Sequence, residues 1–348
     1  DFGCQCAHGG MAECGHDAPG GGTAGLGAAM AGCDMARDGA ELGPESIIPV
    51  NGTRGGRFYD CLALRAGVKN GRQPAVLIAD AVCLPCAAAA LAVGAEPVFV
   101  PATAATGYLP DYAALAPDLL DRVGVAYVCS PANPQGAVAS SDYLADLIRL
   151  ADKHDFILLS DECYSEIWRD HAPVGALQVA DEVGVDPERV VVMNSLSKRS
   201  NLAGLRSGFV AGGQECIARF RQLRAYGGAP LPLPVQHVSE KAWGDETHVT
   251  ANRALYQDKF RAADKVFAGI QGYQAPEGGF FLWLPVDDGE EAALKLWRET
   301  GVRVLPGAYL ARKVAGHNPG KGYIRVALVA PKEEMQRGLT KLRDCLYG

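Results

Sequence analysis

The fold of this chain is decided by residues 190–213, VVVMNSLSKRSNLAGLRSGFVAGG. An apolar run typical of a buried strand, residues 190–193, leads into a small polar cluster that contains Lys198. A second apolar run follows at residues 209–211. Burial at the end of a strand partly desolvates a lysine, which lowers the pKa of its amine and favours the nucleophilic form. We therefore interpret Lys198 as a candidate nucleophile at the edge of a sheet.

Donors for an anion flank this lysine. Ser195 and Ser197 precede it, and Arg206 follows it before the second apolar run. Hydroxyl and guanidinium groups in this arrangement suit a single phosphate. A nucleophilic lysine beside a phosphate site matches the needs of pyridoxal 5'-phosphate, which carries both an aldehyde and a phosphate. The alternative is that Lys198 is an ordinary solvated loop lysine.

Length and composition limit the classes of function. A chain of 348 residues with 48% hydrophobic residues can bury a large core and favours more than one domain. A net charge of −7 gives no support for nucleic-acid binding. No apolar run approaches the length of a membrane span, and the first residues lack the basic and apolar regions of a signal peptide. We expect a cytoplasmic protein that binds neither nucleic acid nor membrane.

The chain contains eleven cysteines, an odd number spread along its length, which favours reduced thiols over a disulfide framework. Two clusters have spacings relevant to metal or redox chemistry: Cys4, Cys6, Cys14 and His16, and Cys83 with Cys86. The first lacks regular C-x₂-C pairing, so a loose Gly-rich segment is favoured over a zinc site. The second has the C-x-x-C spacing of redox motifs, but one isolated pair is weak evidence. We predict no metal site.

From residue 47 onward, apolar strand-like runs alternate with helical stretches. The predicted strands are residues 75–79, 97–101, 125–129, 156–160, 190–193 and 209–211. Amphipathic windows such as residues 141–154 lie between them, and residues 23–35 are predicted as a short helix. This pattern predicts an α/β fold with a mostly parallel central sheet sandwiched by helices. Ligands of such sheets bind beyond the carboxyl ends of the strands.

The pattern changes after the proline-rich residues 230–234. Residues 235–270 are predicted as one or two long helices, of which residues 247–267 are the most helical part. Strand-like segments within residues 278–286, 303–310 and 322–329 alternate with helices over residues 290–300 and 331–347. We therefore predict a large domain at residues 46–240. A smaller α+β domain would comprise residues 1–45 and 241–348.

Polar residues follow the predicted strands at the same edge of the sheet. Asn133 lies in the turn SPANPQG, and Asp161 and Tyr164 lie in SDECY. An aspartate directly after a buried strand is costly to bury without a cationic partner, and a protonated pyridine nitrogen is such a partner. Tyr164 could reach the ring hydroxyl. The alternatives are a plain turn at Asn133 and a helix N-cap at Asp161.

A fourth candidate is the glycine-rich segment NGTRGG at residues 51–56. It precedes a helical stretch that we expect to begin at Arg57. Gly52, Thr53 and Arg54 would offer free backbone amides to an anion at the start of that helix.

Taken together, these segments resemble the class I/II aminotransferases of fold-type I, a pyridoxal-phosphate-dependent family. SPANPQG, SDECY, NSLSKRSNLAGLRSGF and GYIRVAL match its signatures in order, and the resemblance covers residues 46–348. PVNGTRGGRFY, GAEPVF, GYLPDY, LADKHDFILLSDECYSE, PLPVQ and VLPGAYL resemble the bacterial succinyldiaminopimelate aminotransferases within it.

The resemblance implies a role for each matching residue. Lys198 would bind the cofactor through a Schiff base and then act as general base and acid in a 1,3-proton shift. Asp161 would pair with the pyridinium nitrogen, and Tyr164 and Asn133 would bind the ring oxygen. Arg325, in GYIRVAL, would clamp the α-carboxylate of the substrate, a task that suits guanidinium geometry. The implied phosphate-binding residues are Gly52, Thr53, Arg54, Ser195, Ser197 and Arg206.

The same resemblance implies a homodimer that transfers an amino group from glutamate to a 2-oxo acid, N-succinyl-2-amino-6-oxoheptanedioate in the biosynthesis of lysine and diaminopimelate. Arg199 and Arg224 are candidates for binding additional substrate carboxylates. The alternatives are a transaminase specific for aspartate or aromatic amino acids, a carbon–sulfur lyase on the same scaffold, and a non-catalytic pyridoxal-phosphate-binding module.

Two departures from the family pattern stand out. Cys83 occupies the place of an aromatic residue that stacks on the cofactor ring in the family, and a second family aromatic residue near Cys86 is also replaced. Loss of the stacking ring weakens binding by about 0.5–1.5 kcal/mol beyond the lost contact area. Residues 1–45 match the family poorly, and we expect that part of the usual N-terminal segment is missing or has diverged.

Overall fold

The computed structural model describes residues 18–38, 42–64, 69–80, 84–314 and 316–348. Their strands form a seven-stranded sheet and a three-stranded sheet. The larger sheet contains β1 Ile47–Val50, β2 Ala75–Asp80, β3 Glu96–Pro101, β4 Val123–Cys129, β5 Ile157–Asp161, β6 Val190–Ser195 and β7 Gly208–Gly212. The smaller sheet contains β8 Phe281–Pro285, β9 Leu305–Pro306 and β10 Tyr323–Ala327. All six predicted strands of the central sheet are confirmed within a few residues, and β1 adds a seventh.

The larger sheet has the strand order β1-β7-β6-β5-β4-β2-β3. Strands β3, β2, β4, β5 and β6 are parallel, whereas β7 is antiparallel to both of its neighbours, β6 and β1. The predicted α/β fold with a mostly parallel sheet is therefore confirmed. Because the larger sheet is mostly parallel, the ends of β4, β5 and β6 meet at one edge.

Helices follow most strands. They are α1 Ala24–Asp38, α2 Thr53–Leu64, α3 Leu84–Ala92, α4 Pro117–Leu120, α5 Ser141–Lys153, α6 Ala176–Glu182, α7 Leu196–Arg199, α8 Gln214–Gly227, α9 Leu233–Trp243, α10 Thr247–Phe267, α11 Gly289–Thr300 and α12 Lys332–Tyr347. Helix α5 shows why the sequence pattern was informative. The Ser140 side chain caps it by accepting a hydrogen bond from the Tyr143 amide, and Leu144, Leu147 and Ile148 are buried on one face.

Apolar side chains cover both faces of the larger sheet. Leu158 and Leu159 are neighbours in β5, yet they belong to two different hydrophobic clusters, because successive side chains of a strand point to opposite faces. The same holds for Val125 and Ala126 in β4. This two-sided burial explains why the strands are nearly continuous apolar runs in the sequence.

The three-stranded sheet has its own apolar cluster. Leu282 and Leu284 of β8 pack there with Phe260 of α10 and Leu339 and Leu342 of α12. Among the described residues, no helix has both the length and the apolarity needed to cross a bilayer.

Helix α1 packs on the larger sheet. Its Leu26 and Met30 are fully buried in the same cluster as Ile47 of β1 and Trp243 of α9. The apolar face of α1 is covered by β1 and α9. The grouping of residues 1–45 with the smaller domain stays a prediction. The domain boundary at residue 240 stays a prediction.

Candidate active site

A cavity of about 910 Å³ opens at the carboxyl ends of β4, β5 and β6 and the start of α2. It is lined by residues that the sequence predicted for one site: Thr53, Arg54, Asn133, Asp161, Tyr164, Ser195, Ser197, Lys198 and Arg206. These residues come from segments far apart in the chain. The structure thus brings together the candidates that the strand ends suggested.

Lys198 lies in the short helix α7, directly after β6. Its Nζ atom lies 4.8 Å from the centre of the Phe280 ring and 5.9 Å from that of Tyr164. Burial lowers the pKa of the Lys198 ammonium, and the positive charges of Arg325 and Arg206 act in the same direction against an opposing effect of Cys163. A lysine with a lowered pKa has a larger fraction of neutral amine near neutral pH, as a nucleophile requires.

Asp161 is the last residue of β5 and is almost fully buried. Its Oδ1 accepts a hydrogen bond from the Cys163 amide at 3.2 Å. Its Oδ2 lies 2.9 Å from Nη1 of Arg57. The protein itself thus supplies a cationic partner for this carboxylate, a guanidinium on α2, where the sequence analysis expected the ring nitrogen of the cofactor.

Arg57 is a residue that the sequence analysis missed. It lines the same cavity as Lys198 and lies one helical turn after Thr53. Residues four apart in a helix share a face, so the position of Arg57 relative to Thr53 was the available signal. Because the sequence analysis predicted that the helix begins at Arg57, it did not place Thr53 and Arg57 on the same helical face.

Tyr164, Asn133 and Arg325 form a hydrogen-bonded chain. Asn133 donates from Nδ2 to the Tyr164 hydroxyl at 3.3 Å, and Arg325 donates from Nη1 to Oδ1 of Asn133 at 3.1 Å. The Arg325 guanidinium also lies 4.2 Å from the centre of the Phe281 ring. Strand β10 of the smaller sheet thereby reaches the edge of the cavity formed by the larger one.

The candidate anion site combines α2, α7 and the loop before β7. Helix α2 begins at Thr53, not at Arg57 as predicted, so the amides of Thr53 and Arg54 lie in its first turn and have no partner within the helix. Ser195 caps α7 by accepting from the Ser197 amide at 3.1 Å, and the two hydroxyl oxygens lie 2.9 Å apart. Arg206 has a positive φ of 54° and donates to the Ala203 carbonyl at 2.9 Å.

Gly52 lies beside the Arg206 guanidinium in this candidate anion site. Its φ of 77° favours glycine, and a Cβ atom at this position would collide with the Arg206 guanidinium. The missing side chain therefore leaves room for Arg206 to approach the start of α2. The hydroxyls, the amides and the guanidinium form a cradle of the kind that a phosphate needs.

We expect Gly52→Ala to weaken binding of the expected cofactor, pyridoxal 5'-phosphate, by about 10-fold or more, because a Cβ displaces the Arg206 guanidinium and a charged hydrogen bond contributes about 1.5–3 kcal/mol. Equilibrium titration of the cofactor against the apoprotein measures the change. Gly55→Ala is the matched control, since its Cβ would meet only the Tyr59 ring at 4.0 Å. Equal affinities for both variants would contradict the role of Gly52.

Arg199 and Arg224 are not placed to bind a substrate carboxylate in the cavity. Arg199 is fully buried, donates to the Ala242 carbonyl at 2.9 Å and pairs with Glu246. Arg224 is buried and donates to Oδ1 of Asn51 at 2.8 Å. Both arginines make intramolecular contacts beside the site, and the interpretation that they bind substrate carboxylates is wrong for this geometry.

Other candidates lie away from the site or outside the described residues. Cys86 is fully buried in the cluster that contains Ala89 and Ala90. Cys83 falls outside the described residues, as do Cys4, Cys6, Cys14 and His16. Within the described part of the chain, no group of three or more histidine, cysteine or acidic residues could hold a metal ion.

Comparison with known families gives a match to aminotransferases of class I and II over residues 32–342. The chain belongs to this family. Its fold, a mostly parallel sheet with helices on both faces, is the fold-type I architecture expected from the resemblance. Members of the family use pyridoxal 5'-phosphate, so the predicted cofactor is confirmed at the level of the family.

Characterised relatives share part of the sequence. The chain is 30% identical over 262 residues to the LL-diaminopimelate aminotransferase of Dehalococcoides mccartyi, a match that covers 72% of this chain and 64% of the relative. It is 33% identical over 224 residues to the 4-dedimethylamino-4-oxo-anhydrotetracycline transaminase OxyQ of Streptomyces rimosus, which covers 64% of this chain and 60% of the relative. The chain thus spans less than two thirds of the length of both relatives.

Solved structures match over nearly the whole chain. An aminotransferase from Neisseria meningitidis superposes with a TM-score of 0.93 at 34% identity, covering 99% of this chain and 88% of the other. The aminotransferase AspB from Helicobacter pylori superposes with a TM-score of 0.92 at 29% identity, covering 100% of this chain and 90% of the other.

The residues of the cavity fit the cofactor of this family. The cradle around Gly52 has the donors and the space for a phosphate, and Lys198 is the half-buried amine beside it. Asp161 would supply a buried carboxylate for the ring nitrogen, and Tyr164 and Asn133 would supply polar groups for the ring oxygen.

Proposed function

We propose that this protein is a pyridoxal-phosphate-dependent aminotransferase. It would move an amino group from glutamate to a 2-oxo acid, with N-succinyl-2-amino-6-oxoheptanedioate as the expected acceptor. The observation that carries the proposal is the position of Lys198 in one cavity with Asp161, Tyr164 and the anion cradle of Arg206. A buried lysine with no role in cofactor binding does not require a carboxylate and a set of phosphate donors in the same cavity.

The cofactor supplies an aldehyde that accepts the amino group, and a ring that withdraws electrons from the substrate carbon that carries this group. Ser195, Ser197 and Arg206, with the first amides of α2, would hold its phosphate. Asp161 would orient the ring through its nitrogen. These contacts would direct the reactive carbon of the cofactor towards Lys198.

Lys198 would attach the cofactor and, once the substrate amine displaces it, move a proton at the α-carbon of the substrate. Its lowered pKa provides the neutral amine that this step requires. Arg325 would bind the α-carboxylate while still held by Asn133. The carboxylate would thereby be oriented against the same Asn133–Tyr164 pair that contacts the ring oxygen.

The acceptor is inferred from two kinds of support. Several segments resemble succinyldiaminopimelate aminotransferases, and relatives named LL-diaminopimelate aminotransferase are about 30% identical to this chain. Both names describe reactions on diaminopimelate-type compounds with more than one carboxylate. The homodimer and the cytoplasmic location stay predictions.

Spectroscopic titration tests the reaction. Glutamate added to the loaded protein is expected to convert the absorbance of the lysine-bound cofactor to that of the pyridoxamine form, and a 2-oxo acid is expected to restore it. Among acceptors, N-succinyl-2-amino-6-oxoheptanedioate is expected to give a kcat/KM at least about 10-fold above those of oxaloacetate and aromatic 2-oxo acids, the scale that pocket contacts can supply.

The same experiment separates the alternatives. Steady release of pyruvate from cystathionine without a 2-oxo acid would favour a carbon–sulfur lyase. Cofactor binding with no spectral response to any amino acid would favour a non-catalytic binding module. A preference for oxaloacetate would retain the aminotransferase and reject the proposed acceptor.

A further inference from the structure

A buried ion pair between Arg57 and Asp161 lines the cavity, and Asp161 is the residue that the family resemblance assigns to the cofactor ring nitrogen. The Asp161 side chain is 5% exposed, and its Oδ2 is 2.9 Å from Nη1 of Arg57. The guanidinium also donates from Nε to the Thr53 carbonyl at 3.4 Å, and the Arg57 carbonyl accepts from the Tyr127 hydroxyl at 2.7 Å. The arginine is therefore anchored on the cavity wall at both its backbone and its side chain.

The other titratable groups that face this pair come from α2, β4 and the segment after β5. They are Asp60, Tyr127, Cys129, Cys163 and Tyr164. Burial raises the pKa of every one of them, against an opposing effect of Arg57 on Asp60, Tyr127 and both cysteines. Burial therefore shifts each of these groups towards its uncharged form.

Glu162 is the remaining acidic neighbour, and it is engaged elsewhere. Its Oε1 accepts hydrogen bonds from the Ser160 hydroxyl and the Ala176 amide, each at 3.0 Å. The two charges in direct contact at this position are therefore those of Arg57 and Asp161, which are opposite in sign. A carboxylate without this arginine would present a full negative charge to the same position.

We propose that Arg57 shares the Asp161 carboxylate with the ring nitrogen of the cofactor and so weakens protonation of that nitrogen. This inference rests on the proposed function, since it requires pyridoxal 5'-phosphate in the cavity. Two cations on one carboxylate repel each other, and the low dielectric of a buried site strengthens the repulsion. Arg57 is thus a positioning residue that acts on the ring through Asp161.

The consequence is a ring that withdraws electrons less strongly than one beside an unshared aspartate. The arginine also keeps Asp161 paired when the cavity contains no cofactor, which avoids an isolated buried carboxylate. Cofactor binding must then compete with an existing ion pair, so removal of Arg57 is expected to change both the ring protonation and the affinity.

The test uses the holoenzyme loaded with pyridoxal 5'-phosphate that carries a nitrogen isotope in its ring. Nitrogen NMR as a function of pH reports the pKa of the ring nitrogen directly. In Arg57→Gln this pKa is expected to rise by about one to three units, the usual effect of a charge a few ångström away. Arg57→Lys is expected to restore most of the wild-type value, because it keeps the positive charge. Arg149→Gln, on the exposed face of α5, is the control for loss of one surface charge.

Each result has a defined meaning. Equal ring-nitrogen pKa values in wild type and a folded Arg57→Gln variant would overturn the inference. If Arg57→Gln does not fold, the wild-type titration decides: a ring nitrogen that loses its proton within the range of protein stability supports the sharing, and one that stays protonated throughout refutes it. Failure of the wild type to bind the cofactor at Lys198 would refute the proposed function itself.

Discussion

Lys198→Ala is expected to lower kcat for transamination by about 10⁴-fold, the upper end of what a positioned proton-transfer group contributes. The substitution removes the attachment point of the cofactor and the base in a single step. The residual binding should remain measurable, because the cradle formed by Ser195, Ser197 and Arg206 is not changed. The expected variant therefore binds the cofactor without a covalent bond and does not turn over.

Borohydride reduction followed by mass spectrometry checks this result independently of turnover. The wild type should carry a pyridoxyl group on Lys198, and the variant should carry none. Lys241→Ala is the control, since Lys241 lies exposed near the end of α9. A Lys198→Ala protein that still cycled between glutamate and a 2-oxo acid would refute the assigned mechanism.

Much of the fold could be predicted because burial on two faces leaves a strong trace in the sequence. Strands such as β5 and β6 are continuous apolar runs bounded by turns, and α5 has a clear apolar face. Direction was harder to predict. Strand β7 is antiparallel to β6, and no local pattern distinguishes it from the parallel strands. Strand direction depends on the connections between elements.

The site was predictable where polar residues follow apolar strands, as at Asp161 and Lys198. It was less predictable where a role depends on the exact start of a helix. Helix α2 begins at Thr53, and that start places Arg57 on the cavity-facing side, next to Asp161. Arg199, in contrast, was predicted to bind substrate but does not line the cavity. It directly follows Lys198 in the sequence, yet it is fully buried and bound to the Ala242 carbonyl, because neighbouring residues in a helix point in different directions.

Arg325→Leu is expected to lower kcat/KM for glutamate by about 10²- to 10³-fold, the scale for removal of one member of a buried, hydrogen-bonded charge pair. Leucine retains apolar contact with Phe281 but loses the guanidinium that would bind the α-carboxylate. The Oδ1 of Asn133 also loses its donor, so the orientation of the Asn133–Tyr164 pair is weakened. The kcat/KM of Arg325→Lys for glutamate is expected to fall between those of the wild type and Arg325→Leu, because a lysine keeps the charge but cannot bind a carboxylate bidentately.

Substrate comparison separates loss of the clamp from general damage to the site. Arg325→Leu should still bind the cofactor, since Arg325 takes no part in the proposed phosphate cradle of Ser195 and Arg206. Its cofactor absorbance is expected to shift, because the Asn133–Tyr164 pair loses its contact with Arg325. An amine without an α-carboxylate should react equally slowly with both proteins, because it lacks the group that Arg325 would bind. Arg303→Leu is the control from the same part of the chain, since Arg303 lies over the Trp297 ring at 4.4 Å. Equal losses for substrates with and without the carboxylate would show that Arg325 supports the structure of the site and does not bind the substrate.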